Sequence, residues 1–295
     1  MRPLVVGLVA MMLSACAARP VAGAPPGSHR LHIVAAENFW GSLVSQLAGP
    51  GAQVTSIERD PNADPHQYEA NASTARAFAD ADYVIVNGVG YDTWADKMLA
   101  ANPRPDRRVI DIGALVGKKE GDNPHLWYNP SFVTAAADRM TLDLKALDPS
   151  RADAYDAARG RLDQAFAPFR ARVAQIKAAH PGAPVGATES IFVYMAQALG
   201  LDLTTPPELM TAVAEGNDPP ASAVTTFDDQ IRRRRIDVLV YNQQTSTAVT
   251  ANLRMLADRA GIPTVAITET VPAAMSFEAW QTAELDALSR ALGTR

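Results

Sequence analysis

The middle of the chain is a continuous helix-forming stretch that separates two regions of alternating strand-like and helix-like segments. Residues 150–179 read SRADAYDAARGRLDQAFAPFRARVAQIKAA, and Asp148-Pro149-Ser150 supplies a start signal. Pro168 should kink or split this helix, because proline removes a helical N–H and crowds the preceding turn. A helix of this length would cross much of a small domain. We therefore expect it to connect two lobes.

The flanking regions predict an α/β fold. Before the long helix, strands are predicted at residues 32–36, 52–58, 82–88 and 107–113, with helices at 38–49 and 72–81. After it, strands are predicted at 184–189, 236–242 and 264–268, with helices at 191–200, 250–261 and 276–292. Such alternation is typical of mainly parallel sheets flanked by helices. We expect an N-terminal lobe over 30–148, the connecting helix over 149–180 and a C-terminal lobe over 181–295.

The first residues have the layout of a secretory signal peptide. A short positive start precedes the apolar stretch LVVGLVAMML at residues 4–13, which is too short to span a bilayer comfortably. The sequence Leu13-Ser14-Ala15-Cys16 then resembles a bacterial lipobox, and Cys16 is the only cysteine. The alternative is a chance cysteine after an ordinary signal peptide. We expect cleavage after residue 15, lipid attachment at Cys16 and a flexible tether over 16–29, which would hold the protein at the outer face of the membrane or in the periplasm.

Four metal-ligating side chains follow predicted strands. His66 and His125 come from the first half of the chain, and Glu189 and Glu269 from the second. In open parallel sheets, ligands bind beyond the carboxyl ends of the strands, so these residues predict a site between the lobes. Alone, each has an ordinary interpretation: a structural histidine, a first-turn acid or a solvated loop residue. Together, two imidazoles and two carboxylates could hold a divalent cation.

Four motifs in fixed order carry a family resemblance. They are DPHQYE (64–69), NPHLWYNP (123–130), GATESIFVYMAQALGL (186–201) and GIPTVAITET (261–270). The chain resembles the cluster A-I (cluster 9) substrate-binding proteins of bacterial ABC transporters for manganese, zinc or iron. The resemblance implies that His66 and His125 are the two N-lobe ligands. It implies Glu189 at the third position, where the family has His or Glu, and Glu269 at the fourth, usually Asp.

The same resemblance bears on cargo and partners. Zinc-binding members often carry a His-rich loop between the first two ligands, whereas residues 113–123 contain no histidine. A His2Glu2 set therefore favours manganese, with zinc second and iron(II) third. The resemblance also implies delivery to a permease with a cytoplasmic ATPase, by a monomer that catalyses nothing. The net charge of −5 gives no basic surface for nucleic acid.

Two other functions remain open from the sequence. A metallohydrolase could use the same four ligands and an open coordination position to activate water. It would also need a general base and a substrate pocket, and the chain has neither HExxH nor GxSxG. A surface adhesin of the same fold is the other alternative.

The lipid anchor can be tested at Cys16. Cys16→Ser should release the protein or leave it unprocessed without changing its metal affinity, because the residue would act only in anchoring. Mass spectrometry of the mature N-terminus measures this directly. A mature protein that starts well downstream of Cys16 and carries no lipid would contradict the anchor.

Overall fold

The computed structural model describes residues 30–63, 65 and 68–293. The predicted signal peptide (1–15), Cys16, the tether (16–29) and His66 lie outside the described residues. In the described part of the chain, no helix combines the length and the apolar character that crossing a membrane requires.

The region before the connecting helix forms a parallel four-stranded sheet in the order β2-β1-β3-β4. Its strands are β1 (Leu31–Glu37), β2 (Ala52–Glu58), β3 (Tyr83–Val86) and β4 (Arg108–Asp111). Its helices are α1 (Asn38–Ala48), α2 (Ala72–Asp80), α3 (Thr93–Ala101), α4 (Ile112–Leu115) and α5 (Pro130–Leu147). The central strand β3 is fully buried, as expected for a sheet covered on both faces.

The region after the connecting helix repeats this topology, with the order β6-β5-β7-β8 and parallel pairing. Its strands are β5 (Pro184–Ala187), β6 (Asp202–Leu203), β7 (Val238–Asn242) and β8 (Thr264–Ile267). Its helices are α8 (Val193–Leu199), α9 (Pro207–Ala214), α10 (Ala221–Arg232), α11 (Ala248–Ala260) and α12 (Phe277–Leu292). In each sheet the chain reverses its direction of winding beside the first strand, which creates a crevice at the strand ends.

The connecting helix consists of two segments, α6 (Ala152–Ala165) and α7 (Ala167–Ala179), that meet at Phe166. The predicted interruption near Pro168 is confirmed. Helical hydrogen bonds nevertheless continue across the junction, from Phe166 N to Leu162 O and from Arg170 N to Phe166 O. The junction therefore interrupts the regular α-helix while the hydrogen-bonded path continues.

Several helices were not predicted from the sequence, the longest being α5. Its start is nevertheless well marked: the Asn129 side chain accepts hydrogen bonds from Ser131 N and Phe132 N, and Pro130 occupies the first turn. The short strand β6 and helices α3, α4, α9 and α10 were also missed. Strand β5 ends at Ala187, so Glu189 lies two residues beyond the strand that was predicted to include it.

One hydrophobic core runs through both lobes. It joins Ile33 and Trp127 from the first lobe with Val185, Ile267 and Trp280 from the second. Wide separation of the lobes would expose this apolar surface to water. The free-energy cost is about 25 cal/mol for each Å² of apolar surface exposed. The shared core and the connecting helix both oppose a large hinge motion.

A polar clamp on α12 joins the lobes beside this core. The Tyr128 hydroxyl lies 2.7 Å from Glu284 Oε2 and 2.8 Å from the Thr268 carbonyl oxygen, and Glu284 Oε1 accepts from Thr268 N and Trp280 Nε1. One hydroxyl proton cannot serve both acceptors fully. A protonated Glu284 would donate a hydrogen bond to the Tyr128 hydroxyl oxygen. The Tyr128 hydroxyl could then donate its own proton to the Thr268 carbonyl oxygen.

Removal from water raises the pKa of Glu284 from its ordinary value of 4.5 to about 8, which agrees with that proton arrangement. Between these values the folded protein keeps a proton that the unfolded chain releases. The free energy of unfolding should therefore fall as pH rises through this window, by up to about 1.4 kcal/mol per pH unit.

Glu284→Gln removes the titrating group and keeps an amide of similar shape. Urea unfolding of the metal-free variant from about pH 5 to about pH 8 should lack the decline that this carboxyl contributes to the parent. The difference between the two proteins isolates Glu284 from the histidines. A variant with the same pH dependence as the parent would contradict a proton stored at this position.

Candidate metal centre

Three of the four predicted site residues meet at the strand ends between the two sheets. His125, Glu189 and Glu269 are each fully buried. Within the described part of the chain, they offer donor atoms that all lie within 4.8 Å of one another. His125 Nε2 lies 3.9 Å from Glu269 Oε2. These three positions therefore lie together, as the strand-end argument expects, while His66 lies outside the described residues. Their role as metal ligands stays a prediction.

The orientation of His125 is set by Asn123, two residues earlier. Asn123 Oδ1 accepts from the His125 backbone N at 3.1 Å and lies 2.8 Å from His125 Nδ1. The Asn123 amide cannot be reversed, because its Nδ2 donates to the Ser190 carbonyl oxygen at 2.7 Å. The hydrogen on Nδ1 is thereby fixed, so in the neutral imidazole the lone pair is on Nε2, which lies 3.9 Å from Glu269 Oε2. Ligating histidines in metal sites are commonly held through the second ring nitrogen in this way.

Asn123 also joins the lobes at the site. Its Nδ2 contacts the residue after Glu189, and its carbonyl oxygen accepts from the Tyr194 hydroxyl at 3.0 Å. A second asparagine supports the same segment: Asn87, just after β3, donates to the Pro124 carbonyl oxygen at 2.9 Å. The bonds to the carbonyl oxygens of Asn123 and Pro124 fix the backbone that precedes His125.

A tight turn after β3 brings Tyr91 into the site. The Tyr91 hydroxyl donates to Glu269 Oε2 at 2.7 Å. Three consecutive residues of this turn, Gly88, Val89 and Gly90, have φ between 60° and 80°, which is unusual for a β-branched residue such as Val89. At Gly88 a Cβ atom would lie 2.3 Å from Asp111 Oδ1, so only glycine fits. Burial and the neighbouring Glu269 raise the pKa of Tyr91 well above its usual value, so the phenol keeps its proton.

The two carboxylates are held together by Asn242, the last residue of β7. Its Nδ2 donates to Glu189 Oε1 and to Glu269 Oε1, each at 2.6 Å. Strand β7 lies between β5 and β8 in the sheet, so its end falls between the loops that carry the two glutamates. Buried carboxylates side by side repel each other strongly. The shared amide offsets part of that repulsion, and a divalent cation would offset much more.

A further C-lobe residue, Gln244, connects the site to the segment that precedes His66. Its Oε1 accepts from Glu269 N at 2.7 Å and from Thr270 N at 3.1 Å. Its Nε2 donates to the Ala63 carbonyl oxygen at 2.8 Å. Gln244 therefore fixes the backbone of Glu269 and holds a loop of the N-lobe against it.

A second group of buried carboxyls lies behind the Tyr91 turn. Asp92 accepts from the backbone N of Asn87 and of Gly88, which closes the turn. Burial raises the pKa of Asp92 to about 6, and it raises the pKa of the adjacent Glu37 well above its usual range, helped by Asp92 itself. Asp92 therefore fixes the turn that carries Tyr91.

Sequence reasoning did not identify the residues that position the three site side chains, namely Asn87, Tyr91, Asn123, Asn242 and Gln244. A signal was available for some of them, because Asn242 ends a predicted strand and Asn123 belongs to the same motif as His125. No pattern in the sequence indicates which backbone groups these side chains would contact.

Comparison with known proteins agrees with the fold and with the family resemblance. Residues 33–291 match the family described as "Zinc-uptake complex component A periplasmic". The manganese-binding lipoprotein MntA of Halalkalibacterium halodurans is 27% identical over 156 residues, which is 51% of each chain. The chain thus matches about half the length of such curated relatives.

Two solved structures share the fold over most of the chain. The substrate-binding protein FpvC of Pseudomonas aeruginosa in complex with Mn²⁺ has a TM-score of 0.72 and 24% identity, covering 89% of this chain and 98% of that one. The periplasmic zinc-binding protein TroA of Treponema pallidum has a TM-score of 0.74 and 17% identity, with 88% and 98% coverage. With two parallel sheets, a long connecting helix and a family match over residues 33–291, this chain belongs to the periplasmic metal-uptake family of ABC-transporter substrate-binding proteins.

Proposed function

We propose that this protein captures a divalent transition metal outside the cytoplasm and delivers it to a permease driven by a cytoplasmic ATPase. The convergence of His125, Glu189 and Glu269 carries the proposal, since fully buried imidazole and carboxylate donors within 4.8 Å of one another suit such a cation. The fixed Nδ1–H of His125 adds support, because it directs the Nε2 lone pair to the position that a metal would occupy.

His66 is proposed as the fourth ligand. The described residue Ala63 contacts Gln244, which in turn holds Glu269 N. The segment leading to His66 therefore approaches the site from the N-lobe. The sequence contains neither HExxH nor GxSxG, which favours capture of a metal over metal-dependent hydrolysis.

Manganese is the proposed cargo, with zinc second and iron(II) third. Two carboxylates give a harder donor set than a shell made mainly of imidazoles. The similar MntA protein is named as manganese-binding, which supports the same choice. Cys16 is the proposed lipid anchor. The similar protein MntA is named as a lipoprotein, which supports this proposal. We propose that the protein works as a monomer.

The ligand set can be tested with matched histidine variants. The purified mature protein should bind one divalent metal per chain, as measured by isothermal titration and elemental analysis. His125→Ala should weaken binding by more than about 100-fold, because changes behind the ligands alone cost about 10- to 100-fold in comparable sites. His180→Ala is the control, since His180 follows α7 rather than a strand end. Equal metal retention by His125→Ala and His180→Ala would refute the proposed site.

The choice of metal can be tested at Glu189. Glu189→His replaces hard oxygen donors with one softer nitrogen, so the ratio of zinc to manganese affinity should rise. Glu269→Asp keeps a carboxylate and should change this ratio much less. Competition titrations with both metals on the three proteins measure it. An unchanged ratio in Glu189→His, or no manganese binding by the parent, would favour zinc as the cargo.

A further inference from the structure

We infer that the metal enters and leaves the site through a gate between the lobes, formed by Asn123 of the first lobe and by Ser190 and Tyr194 of the second. This inference rests on the proposed function and adds the route by which the site exchanges its cargo. A route is needed because the three site side chains are fully buried. A cation bound to them has no access to solvent until neighbouring residues move.

A solvent-open cavity of about 540 Å³ lies beside this gate. Asn123 and Ser190 line the cavity together with C-lobe residues that include Val193. The same two residues contact His125, since Asn123 Oδ1 lies 2.8 Å and Ser190 Oγ 3.4 Å from its Nδ1. Ser190 also directly follows Glu189 in the chain. The cavity is therefore separated from the site by a wall one residue thick.

Two hydrogen bonds between the lobes hold the gate closed. Asn123 Nδ2 donates to the Ser190 carbonyl oxygen at 2.7 Å, and the Tyr194 hydroxyl donates to the Asn123 carbonyl oxygen at 3.0 Å. The Tyr194 ring also meets two N-lobe residues, with Phe132 edge-on at 5.5 Å and Lys118 Nζ at 5.6 Å. Individual hydrogen bonds stabilise a folded contact only modestly. The gate can therefore open locally while the shared hydrophobic core keeps the lobes together.

A second cavity, of about 490 Å³, approaches the site near Val271, which lies two residues after Glu269. There Asn38 both donates to and accepts from the Val271 backbone at 2.9 Å. Gln244 Oε1 accepts from the backbone N of Glu269 and of Thr270. These four hydrogen bonds outnumber the two at the gate. The gate is therefore the easier of the two places to open.

A gate differs from a support for the ligands in its effect on binding kinetics. A gate sets the barrier for passage in both directions, so weakening it should raise the association and dissociation rates by the same factor and leave the affinity unchanged. Loss of a ligand support instead acts mainly on the dissociation rate and lowers the affinity. Comparing the two rates therefore separates these roles.

The test uses the full mature protein and Tyr194→Phe, which removes one gate hydrogen bond and leaves the Asn123 side chain on His125. Stopped-flow fluorescence follows Zn²⁺ association, because the Trp127 ring lies 5.2 Å from the His125 ring. Transfer of Zn²⁺ to a chelator gives the dissociation rate. Both rates should rise about three- to tenfold, as expected for loss of one hydrogen bond. Tyr155→Phe is the matched control, because it removes a hydroxyl that bonds within the connecting-helix region.

Two further variants test the route itself. Val193→Phe adds volume to the wall of the first cavity and should lower both rates, because the passage beside the gate becomes narrower. Asn38→Ala weakens the contact beside the second cavity and should raise the association rate less than Tyr194→Phe does.

Unchanged rates in a folded Tyr194→Phe overturn the inference, and so does a rise in its dissociation rate alone. A larger rise in association rate for Asn38→Ala than for Tyr194→Phe also overturns it, because the route would then pass through the second cavity. If Tyr194→Phe does not fold, unchanged rates in Val193→Phe overturn it. Failure of the parent to bind Zn²⁺ at all would instead overturn the proposed function on which the inference rests.

Discussion

Two buried glutamates held side by side are the constraint on which this site depends. Glu189 and Glu269 are fully buried at the same edge of one sheet, where like charges repel strongly. The Asn242 amide and the Tyr91 hydroxyl donate three of the hydrogen bonds that keep the pair in place. Such an arrangement is unfavourable by itself and becomes favourable when a cation is shared. The surrounding residues can therefore be understood as the means of keeping these carboxylates together until a metal arrives.

Hydrogen bonds join the two lobes at several points around this site, so the positions of the site residues depend on both lobes. Asn38 exchanges two hydrogen bonds of 2.9 Å with the backbone of Val271, shortly after Glu269. Asn123 reaches Ser190, and Gln244 reaches Ala63. With a common hydrophobic core beneath these bonds, cargo exchange would be confined to local changes in the loops. If the proposed function holds, release to a permease would then require a partner that disturbs those loops rather than a wide opening of the lobes.

Much of the fold could be predicted because its elements carry local signals. The strands over 82–88 and 264–268 contain short apolar runs, and the break near Pro168 follows from proline chemistry. The convergence of His125, Glu189 and Glu269 followed from one rule about strand ends. Helix α5 was missed although Asn129 and Pro130 mark its start.

The residues that hold the ligands could not be predicted by such rules. The contact of Asn123 with Ser190 spans 67 positions, and that of Gln244 with Ala63 spans 181. Contacts of this kind are determined by how two sheets pack, and no local pattern encodes them. Asn242 illustrates this limit. The sequence indicates that Asn242 ends a predicted strand, but it does not indicate that its side chain contacts two carboxylates.

The central claim is that one metal ion is coordinated jointly by histidines of the first lobe and glutamates of the second. X-ray absorption spectroscopy at the metal edge of the loaded protein tests it most directly. The account predicts imidazole scattering together with light oxygen donors, and loss of part of the imidazole signal in His125→Ala. A spectrum with oxygen donors only, unchanged by His125→Ala, would contradict it.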